Sequence, residues 1–575
     1  MGYRYFALVG IEQVCAKGDL ADELLANAGM EPRLSTPAIK LFCSAGTPIS
    51  HLHDGSVLVG HAFGGAPQLR TSGALATADP AQTRRHLLDH RWGEYLLIQP
   101  AVGATGETCF LRDPSGGVDC VYAFAGNGGF ATSDISLAIS LGLYTKTIDW
   151  DVIAHLLCHS TEKSHRAGLA GVQELLPGHC LCVSGGETSV HEEWTPWTFV
   201  APDQRFQDFR QATDAVSHAV ARVVTTWAEN DRVLMLELSG GLDSSIIASC
   251  LKGVDAVAAC CNVTTPFPGT DERPYARQMA DLLGADLLTA RLAPEDMALE
   301  FQLPRSAVSP AIAPLQHALD GLFQAKGNAL GVDCFYTGAG GDTVFAALGN
   351  ASPAADAFLE RGLGAAAAAV RNLSTLHRCT FWKAAKLTLR KVTRGSRGAD
   401  KANQMFLDPS VRDDDLARHP WLSVPQGSYP GDRERIADLA STQVFRDGAT
   451  RATTRWLRMP LLSQPVMEQC LRVPTWMSIA DGQNRAVARQ AFAGLLPPDI
   501  RFRRSKATLL GFLGSAFERQ RSEIREFLLG GSLSERRLLD ARGIDAFTTS
   551  ALPPRDESFV RLYELCKIEN WLRQQ

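Results

Sequence analysis

The chain has 575 residues, 45% of them hydrophobic, and a formal net charge of −5. That length supports roughly two to four domains with their own cores, and the charge offers no basic field for nucleic acid. No uninterrupted apolar stretch approaches the roughly 20 residues that a membrane span needs. The start, MGYRYFALVG, lacks the apolar core of a secretory signal and reads as a first strand.

The region to about residue 200 is dense in short strands and turns. Strands are predicted at 56–59, 94–98, 108–112, 118–124 and 179–183, with turns at 113–117 and 184–186 and a helix over 149–158. This pattern indicates an antiparallel sheet domain. The connector EEWTPWTFVAPD, 192–203, divides the chain into 1–203 and 204–575.

After it the texture changes. A long amphipathic helix over 206–227 is followed by a strand at 233–238, a glycine turn and a helix from Ser244. Strand 255–263, helix 272–283, strand 286–290 and strand 332–336 follow, the last running into TGAGGDTVF, 337–345. Such alternation predicts a parallel, doubly wound sheet, whose ligands sit at the carboxyl ends of strands. From Ala346 onward the pattern is mainly helical, including the alanine run 365–369.

Fourteen cysteines run from Cys15 to Cys566, several of them (Cys109, Cys250, Cys260, Cys261, Cys334) inside apolar runs. The C-x-C of Cys180 and Cys182 has no second paired motif nearby, and zinc sites usually draw on paired motifs. Reduced, buried thiols in a cytoplasmic protein are therefore expected.

The turn LSGGLDSS, from Leu238 to Ser245, places Gly240 and Gly241 where the backbone must bend and adds the hydroxyls of Ser239, Ser244 and Ser245. A strand, a glycine turn and a helix N-terminus together suit an anion. No lysine follows the glycines, so this is not the usual P-loop, and by itself the turn also reads as an ordinary connection. Asp243 follows one glycine pair and Asp342 follows another, Gly340-Gly341, just past a later strand. One such aspartate is commonly a helix cap; two in matching contexts suit Mg²⁺ bridging phosphate oxygens.

SGGLDSS resembles the pyrophosphate loop of the ATP-pyrophosphatases, and the wider chain is similar to the asparagine synthetase family. FLRDPSGGVDCVYA and LLPGHCLCVSGGETSVHEEW resemble its amidotransferase-like N-terminal domain, an αββα fold. RMPLLSQPVMEQCLRVP and GQNRAVARQAFAGLLPPDIRFRRSK resemble the segments that follow the second aspartate loop. The resemblance implies ATP and Mg²⁺, activation of a carboxylate as an acyl-adenylate, and transfer to an amine. Ser239, Gly240, Gly241, Asp243 and Ser244 would hold pyrophosphate, Asp243 and Asp342 would hold Mg²⁺, and Leu238, Val263, Thr337 and Gly338 would complete the nucleotide site. Lys506 would stabilise charge developing on the α-phosphate; its plain alternative is one more basic residue in the run 501–506.

Two departures matter. Glutamine-using members carry a nucleophilic cysteine directly after the initiator methionine; here Gly2 stands there, so the N-terminal domain is expected to be a glutaminase-inactive scaffold. Ala339 stands where asparagine synthetases carry glutamate and β-lactam synthetases tyrosine, and it cannot accept a proton. An attacking α-amine with a pKa of about 8 is partly free base at neutral pH.

With the long stretch between Asp342 and Arg458, the chain looks most like proteobacterial lasso peptide cyclases. That resemblance implies a core-peptide substrate, a leader peptidase and a leader-binding protein as partners, and no nucleic acid or membrane. The insertion at about 346–450 would enclose a peptide. Within it, 382–401 holds seven Lys or Arg against one Asp, either a solvated face or a grip on the peptide or the protease. Phe381, Trp382, Trp421 and Trp456 are candidates for a peptide cavity or for plain core. The rival functions are a β-lactam synthetase or other small-substrate ligase, a non-catalytic ATP-binding scaffold and, more distantly, a tRNA-modifying enzyme.

Overall fold

The computed structural model describes residues 2–10, 18–64, 79–101, 106–126, 128–185, 187–267, 269–394, 402–412, 416, 418–504, 508–553 and 555–575. Lys506 and the basic residues Arg397 and Lys401 lie outside them.

The N-terminal strands are β1 (Tyr5–Val9), β2 (Met30–Ser35), β3 (Ile39–Ser44), β4 (Ile49–His51), β5 (Val57–Phe63), β6 (Trp92–Gln99), β7 (Thr108–Arg112), β8 (Val121–Ala125), β9 (Gly128–Thr132), β10 (Gln173–Glu174), β11 (His179–Ser184) and β12 (Glu187–Glu192). They form two antiparallel sheets, ordered β10-β8-β9-β1-β3-β2 and β12-β11-β7-β6-β5-β4. Period-two alternation stacks them. Tyr5, Ala7 and Val9 of β1 meet Leu96, Ile98 and Phe110 of the other sheet in one core, while Phe6 and Leu8 face outward under helices. Leu97 and Leu111 of the second sheet point the other way, towards Leu87 and Leu88 of helix α1 (Pro80–His90). The result is an αββα sandwich.

The strand expected over 118–124 begins only at Val121. The preceding turn is held by Arg112, which donates to Gly116 O at 2.9 Å and to Asp119 at 3.0 Å.

The second half opens with helix α2 (Phe209–Asn230), starting later than expected because Asp208 caps it by accepting from Gln211 N–H. Strand β13 (Leu234–Glu237), helix α3 (Leu242–Cys250), β14 (Val257–Thr264), α4 (Arg273–Leu283), β15 (Leu287–Arg291), α5 (Pro314–Leu330) and β16 (Cys334–Tyr336) follow. A short strand that the sequence did not reveal, β17 (Trp456–Arg458), completes a parallel sheet ordered β15-β14-β13-β16-β17. The order reverses at β13, where a doubly wound sheet opens a crevice.

The long insertion is helical: α6 (Ser352–Arg361), α7 (Leu363–Leu376), α8 (Phe381–Arg394) and α9 (Pro430–Asp447). The later helices α10 (Leu510–Leu529) and α11 (Phe559–Leu572) share one apolar cluster with the outer face of the first sheet. None of the helices among the described residues is long and apolar enough to cross a membrane.

Candidate active site

The site is built where β13 and β16 end side by side. They pair in parallel register, Leu236 beside Tyr336, so the turns that follow emerge together. Gly240 sits at φ +71, and a Cβ there would stand 2.6 Å from Tyr275 Cβ. The second turn lies flat against the first: a Cβ on Gly338 would stand 2.7 Å from Ser244 N, and one on Gly341 would stand 2.4 Å from Asp243 Cγ. Glycine is required because the second turn is pressed against the backbone of Ser244 and the side chain of Asp243.

Asp243 is buried in the first turn of α3, and Asp342 is exposed in the short helical turn Gly341–Val344 that faces it. Both carboxylates converge on one cationic nitrogen. Arg485 Nη1 donates to Asp243 Oδ1 and Oδ2 at 3.0 Å each and to Asp342 Oδ1 at 2.6 Å. Arg485 itself takes φ +52, a left-handed conformation unusual for a non-glycine residue. Ser239 Oγ and Ser244 Oγ are 3.0 Å apart, and Ser239 Oγ accepts from Gly241 N–H at 3.2 Å.

These groups line a cavity of about 490 Å³. Of the residues predicted from the sequence, Leu238, Ser239, Gly241, Asp243, Ser244, Val263, Thr337, Gly338 and Asp342 are on its wall. Gly240 stands behind it, its carbonyl accepting from Arg503 at 3.2 Å. Lys506 lies outside the described residues, although Arg503 is on the wall.

Other wall residues escaped the sequence reading. Arg503 also donates to Glu272 at 2.7 Å and stacks 3.9 Å from the Tyr275 ring centroid. Arg489, four residues past Arg485, donates to the carbonyls of Arg501 and Arg503 and ties down the segment leading to Lys506. Burial pulls the Arg489 guanidinium down to about 10. The available signal was two arginines four residues apart, Arg485 at the N-cap of a short helix and Arg489 within it. Asn262 donates to Leu238 O at 2.8 Å, and its Oδ1 has no partner among the described residues. Glu237, at the end of β13, is pushed above the usual carboxylate range by burial, against the pull of Arg451.

The aromatics expected around a peptide cavity are dispersed. Trp421 is buried in the core, Trp382 is 79% exposed, and Trp456 lines a different cavity, of about 520 Å³, with Gly2, Glu94 and Arg446. Core packing accounts for Trp421, a large ring that fills the core beside it. The insertion reaches the active-site cavity instead through Thr442 and Phe445 of α9.

Residues 213–573 match the family model described as asparagine synthase. The amidase chry2 of Gibberella zeae is 27% identical over 195 residues, 30% of this chain and 28% of that protein. The amidase chyE of Penicillium rubens is 29% identical over 203 residues, 32% of this chain and 29% of that protein. The chain thus spans less than a third of the length of the curated relatives it matches. Among solved structures, an allosteric regulatory enzyme of purine biosynthesis aligns over 54% of this chain and 78% of its own, at 9% identity and a TM-score of 0.20. A glutamine phosphoribosylpyrophosphate amidotransferase from B. subtilis aligns over 50% and 60%, at 11% identity and a TM-score of 0.17.

Proposed function

This chain belongs to the asparagine synthase family, and from that premise we propose that it is an ATP-dependent carbon–nitrogen ligase forming a macrolactam within a peptide. An Asp or Glu side chain of a core peptide is adenylated with release of pyrophosphate. The peptide's N-terminal amine then attacks the acyl carbon and AMP leaves. The observation that carries the ligase reading is the meeting of Asp243 and Asp342 on a single cation at two abutting glycine turns.

Two carboxylates that share one cationic nitrogen form a hard, all-oxygen donor set, which fits Mg²⁺. Asp243 and Asp342 would hold it, and the ion would offset phosphate charge. The hydroxyls of Ser239 and Ser244 and the backbone of the glycine turn receive the phosphates. Arg485 neutralises the two carboxylates in the ligand-free chain and has to give way when a divalent cation takes them. Glu237, whose burial favours the proton, offers an acceptor for the attacking amine, which Ala339 cannot supply.

Two features support a peptide substrate. Helix α9 brings the insertion to the cavity rim, where Phe445 is 43% exposed. Helix α8 presents Trp382, Lys386 and Leu389 to solvent at helical spacing, an apolar and basic face suited to a peptide or to the leader-processing partners.

The test is incubation with ATP, Mg²⁺ and a linear core peptide bearing a free N-terminus. The expected result is AMP, pyrophosphate and a product lighter by one water, all lost in Asp342→Asn. Turnover of a small β-amino acid in place of any peptide would refute the macrolactam assignment. Peptide processing at full rate in Asp342→Asn, with no pyrophosphate formed, would refute the ligase.

A further inference from the structure

Strand pairing assembles a thiol cluster that chain spacing conceals. In β11, Cys180 and Cys182 alternate onto one face, and the register sets Cys109 of β7 directly opposite Cys182. The sulfurs of Cys180 and Cys182 are 3.9 Å apart, and all three ligand atoms lie within 4.8 Å of one another. Each residue is buried, in the layer shared with Leu87, Leu88 and Leu111 under helix α1. No other trio of His, Cys, Asp or Glu ligand atoms comes so close among the described residues.

Two sulfurs bound to one zinc at about 2.3 Å stand about 3.8 Å apart in tetrahedral geometry, so the Cys180–Cys182 pair already has that spacing, with the Cys109 sulfur within 4.8 Å of both. The electrostatics are suited to thiolates. Arg84 of α1, held by Glu193 at 3.1 Å and by Gln99 at 2.9 Å, places its guanidinium charge beside the cluster.

A fourth donor stands one strand away. Register pairs Cys180 with His191 of β12, on the same face, and His191 Nε2 lies 3.1 Å from Ser189 Oγ at the exposed edge. A turn of the imidazole inward would complete a Cys₃His set.

We propose that Cys109, Cys180 and Cys182 bind one closed-shell, thiophilic metal ion, Zn²⁺ or Cu⁺, as a structural site within the N-terminal domain. Metal–sulfur bonds replace the thiol S–H bonds, and the displaced protons pass to solvent. Zn²⁺ would take His191 as its fourth ligand, whereas Cu⁺ is satisfied by three thiolates in a dry site. The site is independent of the ligase reading, because none of its residues lines the nucleotide cavity.

The full chain, purified under reducing conditions and stripped of metal, would be titrated anaerobically with Zn²⁺ and, separately, with Cu⁺ against a competing chelator. Cd²⁺ would report thiolate ligation by its ultraviolet charge-transfer band. One equivalent per chain is expected, with a raised thermal midpoint and at least a 100-fold loss of affinity in Cys182→Ser and in Cys109→Ser. Cys260→Ser, a buried cysteine outside the cluster, should bind like the parent. His191→Ala should weaken Zn²⁺ alone if zinc is the occupant and leave Cu⁺ binding unchanged. Absence of stoichiometric binding of either ion to the parent chain overturns the proposal, whatever the folding of the variants. Binding retained by Cys182→Ser overturns it as well.

Discussion

Arg458→Met tests the junction between the two halves of the molecule. Arg458 is 1% exposed and ends β17. Its Nη1 donates to Glu94 at 2.7 Å and to Tyr3 Oη at 3.0 Å; its Nη2 and Nε reach Asp231 at 3.0 and 3.2 Å. The guanidinium also stacks 3.9 Å from the Trp227 ring. Burial pushes the Glu94 carboxyl up, but the charges of Arg458 and Arg446 hold it below its usual value. Methionine fills much of the volume and removes the charge. Asp231 then keeps the Tyr336 hydroxyl at 2.8 Å, and Glu94 keeps Arg446 at 3.2 Å. Removing one partner of a buried ion pair costs about 3–5 kcal/mol, a large fraction of the 5–15 kcal/mol typical of a domain. Urea unfolding should show that loss as a lower midpoint at unchanged slope. Neutralising the stranded acids as well (Glu94→Gln, Asp231→Asn) should recover part of it. Loosening β17 should also lower pyrophosphate exchange, because the main chain of Arg458 accepts from the N–H of Thr337, on the cavity wall, at 3.1 Å. A loss below about 1 kcal/mol for Arg458→Met would refute this account of the network.

Gly341→Ala drives a methyl group to 2.4 Å from Asp243 Cγ, so ATP–pyrophosphate exchange should fall by about 100-fold in a chain that still folds; near-parental exchange would disprove the contact. His61 and His419 are held neutral, burial lowering them to about 4 and about 3. Their stabilisation is complete above about pH 6.5 and is lost as pH falls towards those values, about 2 kcal/mol for each between pH 7 and 5. His419→Gln should flatten that acid loss in urea titrations, and an unaltered pH slope would count against it. Glu237→Gln should slow ring closure by about 100-fold and change the pH profile of the rate; an unchanged profile removes Glu237 as the proton acceptor. Lys386→Gln with Arg390→Gln should raise KM for the peptide about 3- to 10-fold at low salt, with less effect at high salt and kcat unchanged. Equal KM values would leave this face a solvated one.

Much of the architecture was legible because it rests on local patterns. Short apolar runs separated by turns, at β6, β7 and β11, marked an antiparallel sheet domain, and the strand–turn–helix rhythm from Leu234 marked the parallel sheet. Strand β17 escaped because three residues carry too little periodicity to register, and its place beside β16 depends on the sheet already present. The two aspartates were recognisable because each follows a glycine pair past an apolar run. Arg485 was not, since an arginine just before a helix reads the same whether it meets solvent or two carboxylates.

Chain order by itself indicated an antiparallel-sheet half followed by a parallel-sheet half, and the glycine turns that bend towards an anion. These depend on side-chain period and on backbone freedom, both properties of neighbouring residues. Only the tertiary structure decided that Asp243 and Asp342 share one cation, that Arg458 joins the two halves, and that Cys109 closes on Cys180 and Cys182. Each of those meetings spans a long stretch of chain, and register and packing alone determine which distant side chains come within bonding distance.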